Sequence, residues 1–184
     1  MFQTIDDSWT LFLDRDGVIN RRLDDDYVKK ITEFEFLEGS LEAIAQLAKL
    51  FSRIFVVTNQ QGIGKNGMTE HQLTDIHDFM QQKIIDAGGR IDAIYYCPHL
   101  KMKRCDCRKP SPGMAWQAKK DFPNVDFQKS MMVGDTVGDM KFGKAVGMAT
   151  VFIDSNQDVE TIENEALIDF CYPSLLDFAQ KIKA

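Results

Sequence analysis

The chain has 184 residues, 44% of them hydrophobic, 27% charged and 10% aromatic. That length suits one domain, and that mixture buries a core and excludes a disordered tail or low-complexity fibre. Lys and Arg total 22 against 28 Asp and Glu, a net charge of −6, which argues against nucleic acid or anionic membrane as a partner.

Residues 9–14 (WTLFLD) read as a buried strand ending in an acid. Ser40 is placed to cap a helix with Leu41, Ile44, Ala45, Leu47 and Ala48 at helical spacing. Residues 53–58 (RIFVVT) form a second strand, stopped by Asn59. Thr69 and Gln72 have capping-box spacing. Leu73, Ile76, Met80 and Ile84 then follow on one helical face until Gly88-Gly89. His71 and His77 read as surface residues of that helix.

Residues 91–97 (IDAIYYC) are a third strand. Ser111 followed by Pro112 predicts an N-cap and a proline at the first helical position, with the helix running to about Lys120. Residues 130–134 (SMMVG) are a fourth strand, followed by a helix from Val137 to Val146 that stops at Gly147. Residues 149–154 (ATVFID) are a fifth. LIDFCY (167–172) and a short helix from about Ser174 end the chain, with Cys171 read as a buried thiol.

Continuously apolar strands alternating with helices predict an α/β fold, a parallel sheet covered on both faces, as one domain over residues 1–184. No apolar run approaches the ~20 residues of a membrane helix. MFQTIDDSWT lacks the basic start and apolar stretch of a secretory signal, so the expected location is cytoplasmic. Gly17–Glu38 and Pro98–Pro110 are long and irregular, and such segments are functional or held by something. Asp24-Asp25-Asp26 reads as a solvated turn, and Gly62, Gly64 and Gly67 as a flexible loop.

In an open α/β sheet, ligands bind beyond the carboxyl ends of the strands. Those ends carry Asp14 and Asp16, then Thr58, Asn59 and Gln60, then Arg108 and Lys109, then Asp135 and Asp139. Carboxylates gathered at one point repel unless neutralised, and Mg²⁺ suits such a site when a substrate phosphate completes its shell. Lys109 can neutralise phosphoryl oxygens and Thr58 can donate a hydrogen bond to one. Asn59, Gln60 and Arg108 are placed to contact substrate. An ionised Asp attacks phosphorus to give an aspartyl-phosphate, and a second Asp can protonate the leaving oxygen and then activate water. Cys97, His99, Cys105 and Cys107 lie within eleven residues. They offer three sulfurs and one nitrogen, a tetrahedral Zn²⁺ set with no open position and hence a structural one.

DRDG after an apolar strand, Thr58 after the second, Lys109 before the fourth and GDTVGD after it resemble the motifs of the haloacid dehalogenase superfamily. LFLDRDGVIN, DYVKKITEFEFLEG, VVTNQQGIGKNGMTE, IYYCPH, CDCRKPSPGM and MVGDTVGDM narrow this to the heptose-bisphosphate phosphatases and related histidinol-phosphatase domains. The resemblance spans roughly Leu11 to Ile153. It implies a Rossmann-like sheet with a minimal cap and a zinc loop. It also implies a Mg²⁺-dependent phosphatase of a small phosphorylated sugar, acting as a monomer. The implied nucleophile is Asp14 and the implied acid–base group Asp16. The implied Mg²⁺ ligands are Asp14, the Asp16 carbonyl and Asp135, with Asp139 acting through water.

Thr136 stands where heptose enzymes usually carry a basic residue, and the C-x-H-x₅-C-x-C spacing is nearer the histidinol-phosphatase pattern. Histidinol phosphate therefore stays open as an alternative substrate. Two other classes are weaker. A signalling receiver places its acceptor Asp after the third strand, and a zinc-stabilised nucleic-acid module conflicts with the net charge.

Overall fold

The computed structural model describes residues 5–23, 26–155 and 165–182. The strands are β1 (Thr10–Leu13), β2 (Arg53–Asn59), β3 (Ala93–Cys97), β4 (Ser130–Gly134), β5 (Ala149–Ile153) and β6 (Phe170–Tyr172). The helices are α1 (Ser40–Leu47), α2 (Glu70–Asp86), α3 (Gly113–Asp121), α4 (Val137–Ala145) and α5 (Leu175–Lys181). All strand pairs are parallel, in the order β3-β2-β1-β4-β5-β6. This is the predicted α/β sheet, with LIDFCY supplying β6 and the short helix after Ser174 forming α5. No helix among the described residues is long and apolar enough to cross a membrane.

Side-chain alternation sends each strand to two cores. Leu11 and Leu13 of β1, Ile54 and Val56 of β2, and Met131 and Val133 of β4 pack under α1, α2 and α5. Phe12, Phe55, Val57 and Met132 face the other way, against Met114, Ala115 and Ala118 of α3 and Phe142 of α4. Burial on both faces is why these strands read as continuous apolar runs.

The structure moves several boundaries. Trp9, Asp14, Ile91 and Asp154 lie just outside their strands. Ser40 is the buried first residue of α1, not its cap, because Gly39 occupies the cap at φ 73°. A left-handed conformation suits glycine, and a Cβ there would lie 2.7 Å from Leu176 Cδ2. Ser111 does not cap α3, and Pro112 holds the cap position without a side-chain bond. The Thr69–Gln72 capping box of α2 is present. Cys171 is exposed, since β6 is an edge strand with one face toward solvent. His71 is exposed, but His77 is 6% exposed and buried. Of the acidic run, Asp24 and Asp25 lie outside the described residues.

The chain turns outward from β1 to β2 and β3, then crosses back to β4 on the other side. The direction of winding thus reverses between β1 and β4, where a crevice opens in such sheets. Leu13 is in register with both Val56 and Val133. Asp14 therefore leaves the sheet one residue before Thr58 on one side and Asp135 on the other.

Candidate active site

Lys109 is the centre of the crevice. Its side chain is 3% exposed, and Nζ lies 2.8 Å from Asp14 Oδ1 and 2.6 Å from Asp139 Oδ1. Nζ also donates to the Val57 carbonyl at 2.7 Å. Asn59 fixes the lysine backbone twice: Lys109 N donates to Oδ1 at 3.0 Å, and Nδ2 donates to Lys109 O at 3.2 Å. Burial opposes the ammonium charge, but Asp139 and Asp14 outweigh it and hold the Lys109 pKa above its usual range.

The carboxylates differ in their partners. Asp14 Oδ1 receives Lys109 and the Arg15 backbone N–H at 2.7 Å, which leaves Oδ2 without a donor among the described residues. Burial pushes the Asp14 carboxyl up to about 8, against Lys109 and with Asp139 and Asp135. Asp139 is 1% exposed, and its second oxygen accepts from Thr136 N as the capping box of α4. Asp135 Oδ2 pairs with Arg22 Nη1 at 2.8 Å, while its buried Oδ1 has no hydrogen-bond partner among the described residues. Burial, then Asp139, raise the Asp135 carboxyl to about 6.

Oxygens of Asp14, Asp135 and Asp139 lie within 4.8 Å of one another. Among the described residues, three carboxylates face one buried lysine and a half-exposed arginine, and Asp14 Oδ2 and Asp135 Oδ1 are left without a donor. An all-oxygen, under-neutralised set fits a hard divalent cation. Gly17 permits the close approach: at φ 91°, a Cβ there would sit 2.0 Å from Asp135 Oδ2.

Asp16 lies in a nest of donors. Oδ1 accepts from Arg15 Nη2 at 2.9 Å and Asn20 Nδ2 at 3.0 Å, and Oδ2 accepts from Gln60 Nε2 at 2.8 Å. Burial opposes ionisation of Asp16, but Arg15, Asn20 and Gln60 outweigh it and hold the carboxyl below its usual range. Gln60 was expected at the substrate; it is fully buried, and the same Nε2 also donates to Thr58 Oγ1 at 2.9 Å. Thr58 thus keeps its own proton for a group in the cleft.

The cysteine loop is folded as a cluster. Sγ of Cys107 lies 2.9 Å from that of Cys97 and 3.4 Å from that of Cys105, and Cys97 and Cys105 are 3.4 Å apart. His99 Nδ1 is 3.2 Å from Cys107 Sγ and 3.7 Å from Cys97 Sγ. A tetrahedral centre with Zn–S of ~2.3 Å has S···S edges of about 3.8 Å, so the four ligand atoms are already gathered into such a set at somewhat shorter separations. All four cysteines are free of disulfides, so the set is chemically available to a metal.

A cleft of about 350 Å³ opens over Asp14, Asp16, Thr58 and Lys109. Arg108, predicted to touch substrate, lines it, as do Asn59 and Thr136. Sequence reasoning missed Arg22, Tyr27 and Lys65 on its outer wall. Arg22 lies 113 residues from Asp135 in sequence, in an irregular segment with no pattern to flag it.

The family model described as HAD-hydrolase-like matches residues 106–178. The chain is 36% identical over 181 residues to the D-glycero-beta-D-manno-heptose-1,7-bisphosphate 7-phosphatase of Yersinia pestis, covering 95% of each. It is 38% identical over 180 residues to that of Pasteurella multocida, covering 94% of this chain and 96% of the relative. The D,D-heptose 1,7-bisphosphate phosphatase from B. bronchiseptica, solved with magnesium and phosphate, superposes with a TM-score of 0.84 at 32% identity. That match covers 94% of this chain and 96% of the other.

Proposed function

Because the chain belongs to the D-glycero-beta-D-manno-heptose-1,7-bisphosphate 7-phosphatase family, we propose that it hydrolyses the C7 phosphate of such a bisphosphate through an aspartyl-phosphate on Asp14. The observation that carries this is the buried lysine bridging Asp14 and Asp139 in a cleft that Asp16 and Thr58 also line. A lysine so placed neutralises the phosphoryl oxygens while holding the nucleophile beside them.

Asp14 and Asp135, with the Asp16 carbonyl, would hold Mg²⁺, and Asp139 stands behind them, committed to Lys109 and Thr136. When bound, the ion neutralises the carboxylates and polarises a phosphoryl oxygen. Asp14 Oδ2, free of donors, attacks phosphorus as the bond to the leaving oxygen breaks. Thr58 donates its proton to a phosphoryl oxygen. Asp16 is ionised in the free protein, and incoming phosphoryl charge raises its pKa so that it takes up a proton from solvent as substrate binds. It gives that proton to the leaving oxygen, then takes one from the water that cleaves the aspartyl-phosphate. Arg22, Lys65 and Arg108 also line the cleft, against one further carboxylate, Asp26, and this surplus of positive charge suits a second phosphate on the same sugar. One domain, acting as a monomer, is part of this proposal. The Cys97–His99–Cys105–Cys107 set would hold structural Zn²⁺.

The test measures phosphate release, with Mg²⁺, from the β-bisphosphate, its α anomer and histidinol phosphate, together with acid trapping of the phosphoenzyme. We expect the highest kcat/KM for the β-bisphosphate and label on the peptide containing Asp14. Preference for histidinol phosphate would replace the substrate, and label elsewhere would replace the nucleophile.

A further inference from the structure

The most unusual buried group outside the reacting cluster is Arg15, a guanidinium with no solvent exposure. It lies between the two aspartates of the DRDG motif, and its side chain runs away from the cleft. Nη2 donates to Asp16 Oδ1 at 2.9 Å, and Nη1 lies 3.2 Å from His77 Nε2. Nε has no hydrogen-bond partner among the described residues, and the Phe34 ring lies 5.8 Å from Cζ. The rotation of the guanidinium plane is therefore fixed by two polar contacts, one at each end of its fork. One end is the proton-transfer carboxylate. The other is a histidine on α2.

His77 is the polar member of an otherwise apolar stripe. Leu73, Ile76, Met80 and Ile84 are the other buried residues of α2. Its ring is buried and packs edge-on to Tyr96, with centroids 6.1 Å apart. A buried polar ring in a core stripe costs stability unless its nitrogen is partnered, so a leucine there would be the cheaper core residue. Arginine has donors only, so Nε2 must present its lone pair and the proton must sit on Nδ1. Burial, then Arg15, push the His77 pKa down to about 3, which keeps the ring neutral and the lone pair available.

We propose that His77 is a positioning residue that aims Asp16 at the leaving oxygen by anchoring the far end of the Arg15 guanidinium. This rests on the reading of Asp16 as the acid–base group. Without His77, Nη1 becomes a buried, unpaired, charged donor. The guanidinium rotates to find another acceptor, Nη2 leaves Asp16 Oδ1, and the carboxyl loses one of its three fixed donors. Asn20 and Gln60 still hold it loosely, so proton transfer weakens while phosphoryl binding by Lys109 and Thr58 is untouched.

A merely structural role would slow every substrate alike. Loss of aim at the leaving oxygen slows most those substrates whose leaving group needs a proton. The experiment measures phosphoenzyme formation by rapid quench for an alkyl phosphate and for 4-nitrophenyl phosphate. We expect His77→Leu to lose ~10-fold or more on the alkyl ester, the scale of a misplaced catalytic group, and little on the aryl ester. His77→Gln places an amide oxygen near the Nε2 position and should restore the wild-type ratio. His77→Asn places it near Nδ1, out of reach of Arg15, and should behave as His77→Leu does. If His77→Leu does not fold, the Gln and Asn pair decides. Equal slowing of both esters, or equal behaviour of the Gln and Asn variants, overturns the proposal. Asp16→Asn is run alongside: absence of leaving-group selectivity in that variant refutes the acid–base reading itself, whereas selectivity there without selectivity at His77 refutes only the role of the histidine.

Discussion

Asp135→Asn tests the electrostatics of the crevice directly. Burial and Asp139 raise the Asp135 carboxyl to about 6, whereas its unfolded value is 3.8. A carboxyl raised in the folded state binds a proton more tightly there than in the unfolded chain. Its contribution is therefore neutral below about pH 3.8, turns unfavourable as pH rises, and is fully unfavourable above about pH 6. At 1.36 kcal/mol per pKa unit, the cost at pH 8 is about 3 kcal/mol. Asparagine carries no charge and avoids that cost. It forfeits the Asp135–Arg22 pair, but that attraction is already contained in the raised value, which Arg22 lowers. The net gain is therefore about 3 kcal/mol at most, or roughly 6–12 °C in Tm for a domain of this size. The assay is thermal melting of both proteins in EDTA at pH 5 and pH 8, then with Mg²⁺. We expect the variant to melt higher than wild type in EDTA at pH 8, with the gap narrowing at pH 5. Added Mg²⁺ should raise the wild-type Tm and not the variant's, and the variant should release no phosphate. A variant less stable than wild type in EDTA at pH 8 would refute the claim that these carboxylates are under-neutralised.

Asp14→Asn should melt within a few degrees of wild type yet release no phosphate above background, because uncatalysed phosphate-monoester hydrolysis is among the slowest reactions known; a phosphate-release assay on the folded variant checks it. Stability should fall on acidification below about pH 6.5, since the unfolded chain then protonates His77 while the folded pKa lies near 3; urea titrations from pH 7 to pH 4 should show this slope flattened in His77→Gln. Cys105→Ser should lower zinc content and Tm, raise KM and lower kcat by up to ~10²-fold through misplacement of Arg108 and Lys109. Mg²⁺ alone should not rescue it, and native kinetics in a zinc-free protein would remove the loop from the argument.

What was legible in the sequence was whatever the strand ends dictate. Continuous apolar runs located five strands, and the residues after them located the acids, because a parallel sheet brings its carboxyl ends together whatever the loops do. The misreadings have separate physical causes. His77 reads as a surface residue when placed on the polar side of its helix, although its spacing, four after Leu73 and three before Met80, puts it in the apolar stripe. Cys171 was read as buried from its aromatic neighbours, but whether a terminal strand is an edge depends on sheet order, which short runs do not encode. Gly39 capped α1 instead of Ser40 because Leu176, far along the chain, approaches its Cα. The partners of Gln60 were hidden for a similar reason: a glutamine after a strand faces ligand or neighbour according to what Asp16 needs.

The placement of Lys109 brings these strands of argument together. It must carry a full charge at 3% exposure, yet it ends a segment with no long helix or strand of its own, from Pro98 to Arg108. Three ties hold it: Asn59 pins its backbone, the Val57 carbonyl takes its ammonium, and Cys107 lies two residues earlier in the sulfur cluster. The first two come from β2, so they fix Lys109 relative to Thr58 and Asp14. The third fixes the approach of the chain, and with it the direction of Arg108 into the cleft. Asp139 then supplies the second countercharge from α4, whose start is set by its own capping box. A charged residue is thus carried into a nearly dry site by contacts from three separate parts of the sheet edge. Loosening any one of them leaves a buried ammonium poorly paired, a condition that costs several kcal/mol. That cost is why the geometry around the phosphoryl position is rigid before substrate arrives.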